Sequence, residues 1–199
     1  MKKIIVLIIF FYLNIYANTY FIDFTLNNSI IQNTTEYNYK KNSENYYYEG
    51  GSNDGGFYGF NLNIGYSFKY LQKMVIEPSF GIGSLSNGAG TNINKIYFIE
   101  LPVLKYIENK KYGFFIKYNY LTDISMSGIS EEIIQLKNQK TFSLGFKTIV
   151  ENRNIDFILS YEYMLPGIYE ETIQKGNETI NTKYDIEGSF LAFGIRFKF

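Results

Sequence analysis

GFYGFNLNIGYSFK, residues 56–69, alternates without a break from Tyr58 to Lys69. Tyr58, Phe60, Leu62, Ile64, Tyr66 and Phe68 hold one parity, and Gly59, Asn61, Asn63, Gly65, Ser67 and Lys69 hold the other. Successive side chains of a strand point to opposite faces. The stretch therefore reads as a β-strand with one large apolar face and one small, polar face.

The same signal recurs along the chain and predicts eight strands. The first is TYFIDFTLN (19–27), with Tyr20, Ile22, Phe24 and Leu26 against Asp23 and Thr25, and the second is the opening stretch. MVIEPSFGIG (74–83), IYFIELPVLKY (96–106), YGFFIKYNYL (112–121), TFSLGFKT (141–148) and IDFILSYEY (155–163) follow. The eighth runs from about Tyr184 to Phe199 and ends FLAFGIRFKF. Pro102 lies inside the fourth strand and removes a ladder donor, which predicts a bulge or kink there. Tight polar turns are expected around Gln72, Asn109 and Asn152. Longer links are expected over 28–55, 84–94, 122–138 and 164–182. Short turns at one end and long loops at the other match an outer-membrane barrel with both termini on the periplasmic side.

Composition narrows the chemistry. The 199 residues carry 19 basic and 19 acidic side chains, which argues against a general nucleic-acid or anionic-surface binder. There is no Cys and no His. A disulfide framework, thiolate or imidazole metal sites and Ser-His-Asp catalysis are therefore excluded. Tyr (20) and Phe (18) are abundant, which favours strands. Met1-Lys2-Lys3 followed by the apolar run Ile4 to Tyr16 and Ala17 reads as a signal peptide, residues 1–17. The run is too short for a spanning helix. Residues 18–199 then form one barrel domain.

Alternation leaves open whether the apolar face points into a soluble barrel or out into lipid. Size decides between them. Eight strands enclose a lumen only just wide enough for side chains, so the large set must face outward. A closed barrel also pairs every backbone N–H and C=O, as hydrocarbon requires. The expected fold is an all-β, eight-stranded antiparallel up-and-down transmembrane barrel. Its inward set is Asp23, Glu77, Glu100, Lys117, Lys147, Asp156, Glu162, Arg196 and Lys198, read as a paired polar network plugging the lumen. The other reading of these residues is a charged path for ions or small solutes.

FIELPVLKY (98–106), EPSFGIG (77–83) and the terminal FGIRFKF resemble the small outer-membrane β-barrel domain family of Gram-negative bacteria. The run from Glu100 to Tyr106 matches that family's pattern of acid, apolar residue, proline, aliphatics, lysine and aromatic. The resemblance implies a structural barrel, an adhesin or a small-solute channel in the outer membrane. It also implies recognition by the barrel-assembly machinery through the terminal strand, with Phe193, Ile195, Phe197 and Phe199 as the signal. Lipid is the expected partner and no cofactor is expected. Barrel enzymes of similar type use a histidine this chain lacks. A mechanism using Glu77 and Glu100 is formally open but less expected than a structural role. Tyr37, Tyr39, Tyr46, Tyr47 and Tyr48 in the first long link (36–56) offer a candidate surface-contact loop, or else an extension of the wall with Tyr at the interface belt. SNDGG (52–56) has oxygen ligands suited to calcium but reads first as a turn.

Overall fold

The computed structural model describes residues 19–29, 34–41, 44–51, 56–71, 73–87, 91–127, 133–136, 138–153, 155–165, 169–175, 178–184 and 187–199. The proposed export segment (1–17) and residues 52–55 of SNDGG lie outside them. Among the described residues there are strands and no helix. In chain order they are β1 (Thr19–Ser29), β2 (Thr34–Lys41), β3 (Glu44–Gly51), β4 (Phe57–Leu71), β5 (Met74–Ile76), β6 (Ser79–Asn87) and β7 (Thr91–Ile107). Next come β8 (Lys110–Ser127), β9 (Ile133–Leu136), β10 (Gln139–Val150), β11 (Ile155–Met164), β12 (Tyr169–Lys175), β13 (Glu178–Tyr184) and β14 (Gly188–Lys198).

The walls close into a ring. β1 pairs with β4, β4 with β5 and β6, these with β7, β7 with β8, β8 with β10, β10 with β11, and β11 with β14. β14 returns to β1, and every pairing is antiparallel. β5 and β6 are one wall element with an irregular step at Glu77-Pro78, so the ring has eight staves. At the seam, Tyr20 and Phe199 exchange both backbone hydrogen bonds at 3.1 Å, extending the ladder past β14. Their rings stack with centroids 6.2 Å apart.

The expected distortion at Pro102 falls elsewhere. β7 keeps one register against β8 through Pro102, which sits opposite Phe115. On its other side Pro102 accepts a hydrogen bond from Glu77 N–H at 3.1 Å, and its missing donor faces the step at Pro78, where β5 gives way to β6. Pro78 lacks its own donor on the opposite side of that stave, toward β4, where its carbonyl accepts from Tyr66 N–H at 3.2 Å, and the β5–β7 and β6–β7 registers continue one another. The register shift occurs instead between Gly83 and Leu85, opposite Ile93 and Ile96. Asn94 and Lys95 are both exposed there, so Ile93 and Ile96 both turn inward. β8 answers with Asp123 at φ 54°, which turns Leu121 and Ile124 inward together.

The links also differ from expectation. β6 continues to Asn87 and β7 begins at Thr91, so the link expected over 84–94 is largely wall. β8 runs to Ser127 and β9 folds back onto its end, with Ile124 opposite Leu136. The first and last long links are hairpins. β2–β3 and β12–β13 join into a four-stranded sheet in the order β12-β13-β2-β3. That order repeats the order β11-β14-β1-β4 of the wall. In this sheet Tyr37 faces Tyr48 and Tyr39 faces Tyr46 in register.

Side-chain direction follows parity. Phe24, Leu26, Leu62, Phe80, Ile82, Phe114, Ile116, Phe142, Phe157 and Phe193 are exposed on the outer face, Phe114 by 74%. Tyr20 and Tyr66 mark this band toward the short turns, and Tyr58, Tyr97 and Tyr163 toward the long links. The inward parity is buried.

Candidate functional site: the barrel lumen

The lumen is built from two apolar clusters and charged pairs. Toward the short turns, Leu104, Ile149 and Ile158 form a small apolar cluster. Toward the long links, Phe57, Leu85, Ile93, Ile96, Phe98, Leu121, Ile124, Met164 and Phe190 form a larger apolar cap. Charged pairs fill the lumen around and between them, with Lys111–Glu151 and Lys198–Asp156 nearest the short turns.

Arg196 is the centre of the largest group and is 1% exposed. Its Nε and Nη2 donate to the two carboxylate oxygens of Asp23 at 2.6 and 2.8 Å, a bidentate pair. Its Nη1 donates to Glu77 Oε2 at 2.6 Å. Glu77 Oε1 accepts from Lys111 Nζ at 2.8 Å and from Ser67 Oγ at 3.1 Å. Lys111 reaches on to Glu151 Oε1 at 3.1 Å, and the Tyr106 hydroxyl donates to the same oxygen at 2.9 Å. Asn63 Nδ2 donates to Asp23 at 3.4 Å and to Ser79 at 3.2 Å. Two full sets of carboxylate oxygens are thereby satisfied away from water, which is what makes such burial tolerable.

The remaining candidates fall into separate pairs. Lys117 Nζ donates to both oxygens of Glu162, at 3.1 and 2.8 Å. Lys147 pairs with Glu100. Lys198 meets Asp156 Oδ1 at 2.8 Å, and that oxygen also accepts from Asn152 N–H at 3.1 Å. The structure therefore brings Asp23, Glu77 and Arg196 together. It sets Glu100 with Lys147, Glu162 with Lys117 and Asp156 with Lys198. Glu77 and Glu100, the two carboxylates weighed for catalysis, bond to different cations. The side chains of Tyr37, Tyr39, Tyr46, Tyr47 and Tyr48 lie outside the described part, which gives only their backbone.

Three aromatic rings also point inward, and each repeats one arrangement. The Arg196 guanidinium lies 3.6 Å above the Phe21 ring, Lys117 Nζ 4.6 Å from Phe98, and Lys147 Nζ 5.4 Å from Phe115. Beneath each ring is a glycine. A Cβ on Gly65 would come within 2.5 Å of Phe21 Cζ, one on Gly81 within 2.5 Å of Phe98 Cζ, and one on Gly145 within 2.2 Å of Phe115 Cζ. Each cation is thus held between a carboxylate and an aromatic face, over a stave thinned to admit the ring. Gly145→Ala should cost about 1–3 kcal/mol by overpacking, measured by urea unfolding of the folded barrel. Trimming the ring in Gly145→Ala/Phe115→Leu should recover part of the loss. A Gly145→Ala barrel as stable as the parent would mean that the ring has room to move.

Lys111, Glu151 and the three inward Phe residues are the members that alternation did not flag. Lys111 shares the inward parity of Lys117, but it lies one residue before the alternating stretch 112–121. The turn before it needs a positive φ at its first central residue, supplied by Glu108 at 54°. A cavity of about 10 Å³ lies between Asn27, Asn61, Asn119, Lys117 and Glu162 on one side and Leu85, Ile96, Met164 and Phe190 on the other. That is about the volume one water needs.

A closed eight-stave antiparallel ring has counterparts among known structures. The chain is similar to the outer membrane protein OprG from Pseudomonas aeruginosa, at 12% identity with a TM-score of 0.56, over 92% of this chain and 97% of that one. It is similar to Neisserial surface protein A (NspA) at 11% identity with a TM-score of 0.50, over 90% of this chain and 97% of that one. The fold is that of the small outer-membrane β-barrels. No protein-family model and no curated protein matches the sequence. At such identities the shared property is architecture, and the barrel's role has to be argued from its own residues.

Proposed function

We propose that the chain is an integral outer-membrane β-barrel protein with a structural or surface-interaction role and a lumen closed by its own side chains. The observation that carries this reading is the filling of the lumen. Charged pairs and an apolar cap stand in series, and the cavity between them admits about one water molecule. An ion would have to displace a paired charge and then cross a dry layer. The outer face supports the membrane placement, because its exposed Phe, Leu and Ile band is flanked at both ends by Tyr. The short turns then face the periplasm. The β12-β13-β2-β3 sheet, with its facing tyrosines, stands on the extracellular side as the surface available to a partner. The barrel-assembly machinery engages β14 during insertion, with Phe193, Ile195, Phe197 and Phe199 as the recognised set. The role is a non-catalytic one.

Two measurements test this reading. Purified protein should require detergent and migrate differently on gels before and after heating. A monodisperse chain in plain buffer would end the membrane assignment. In planar bilayers the folded barrel should be silent across salt and voltage. A steady conductance reshaped by Lys117→Glu would overturn the closed lumen and establish a charge-lined path in its place.

A further inference from the structure

The short-turn end of the barrel carries unbalanced positive charge. Lys69, Lys73, Lys105, Lys110 and Arg153 are exposed there, and among the described residues of that end Glu108 is the sole exposed acid. The other nearby acids are engaged, Glu151 by Lys111 and Tyr106 and Asp156 by Lys198. Zero net charge over the chain therefore conceals a basic rim.

Just inside this rim the outer wall has an apolar groove of about 270 Å³. Val150, Phe157, Leu159 and Phe193 line it, with Gly194 in its wall. Val150 lies directly across from Lys110 in the β8–β10 pairing. Arg153 stands in the turn between Val150 and Phe157. The two turns are tied together, because Glu151 N–H donates to the Asn109 carbonyl at 2.8 Å. Lys110 thus lies opposite Val150 at one end of the groove, with Arg153 in the turn tied to its own.

We propose that Lys110, Arg153 and this groove bind one anionic phospholipid of the surrounding leaflet. The two cations take the phosphate, with the Arg153 guanidinium suited to a bidentate contact. An acyl chain lies along Val150, Phe157 and Phe193. A soluble phosphate would use the cations and leave the groove empty, whereas a lipid uses both. Each cation near an anionic headgroup contributes about a fivefold gain in binding, so the pair contributes on the order of 25-fold.

The site presupposes the membrane placement proposed above, and the two fail separately. A chain soluble without detergent ends the placement, and a detergent-requiring barrel indifferent to lipid ends the site alone. The experiment is lipid retention by the intact barrel after extraction from bilayers containing equal phosphatidylglycerol and phosphatidylcholine, read by native mass spectrometry. Parent barrel should keep phosphatidylglycerol at least tenfold over phosphatidylcholine. Lys110→Glu/Arg153→Glu should abolish that preference while still folding, as judged by heat-modifiable migration. Thr148→Phe, which fills the groove from the lipid side, should lower retention of both lipids while keeping the preference. Equal retention by the parent, or an unchanged preference in the double variant, would overturn the proposal. Unchanged retention in Thr148→Phe would remove the groove from it.

Discussion

Arg196→Met lowers the unfolding free energy of the barrel by about 3–5 kcal/mol, the largest loss expected from a single lumen side chain. The cost arises less from the contacts removed than from the groups left behind. Asp23 and Glu77 are both 0% exposed, and Arg196 supplies three charge-assisted hydrogen bonds to them. Methionine fills the volume and keeps a soft contact with Phe21, so packing is spared and the electrostatic loss is isolated. Adding Asp23→Asn and Glu77→Gln should restore most of the stability, because the unpartnered charges go with the guanidinium. Lys111 keeps Glu151 in that triple variant. Urea unfolding of the barrel reconstituted in vesicles reads the effect. A single variant within about 1 kcal/mol of the parent would show that water reaches the cluster, and would refute the dry network.

The second large effect is at Lys117. Lys117→Met strips Glu162 of both its hydrogen bonds and should cost about 3 kcal/mol, whereas Lys117→Met/Glu162→Leu should lie near the parent. The non-additivity is the measured quantity, since a double-mutant cycle isolates the pair. The control is Lys95 with Asp123, 3.6 Å apart with side chains 61% and 45% exposed. Lys95→Ala, which leaves Asp123 and its φ of 54° in place, should cost under about 1 kcal/mol, because solvent screens the pair. If both pairs gave the same small value, the lumen would be behaving as bulk water.

Much of the wall was legible because alternation reports one physical fact, which side of a stave a residue occupies. Tyr58 to Phe68 and Phe142 to Phe146 read correctly as outward residues for that reason. Alternation says nothing about what the inward parity does with a large residue. Phe21, Phe98 and Phe115 became lumen rings because glycines on facing staves yield the space, a cross-strand relation no single strand displays. The apolar cap was hidden differently. Ile93 and Ile96 are three apart, as are Leu121 and Ile124, which strict period two assigns to opposite faces. A bulge on one stave and a positive φ on its neighbour put them on the same side. Lys111 and Glu151 keep the inward parity of Lys117 and Lys147, but they lie just beyond the alternating stretches that mark those strands. Pro102 misled because its missing donor falls opposite Glu77, where the ladder loses one bond without a change of register.

The bond between Arg196 and Asp23 joins positions 173 residues apart, at the meeting of the first and last staves. No partly assembled sheet can form it. A slip of one residue at that junction would point Arg196 into hydrocarbon and bring a phenylalanine inward. Closure in the wrong alignment is therefore penalised by several kcal/mol at a single side chain. The pair works as a proofreading step written into the chain. A closure shifted by one residue lacks that pair and is the less stable alignment.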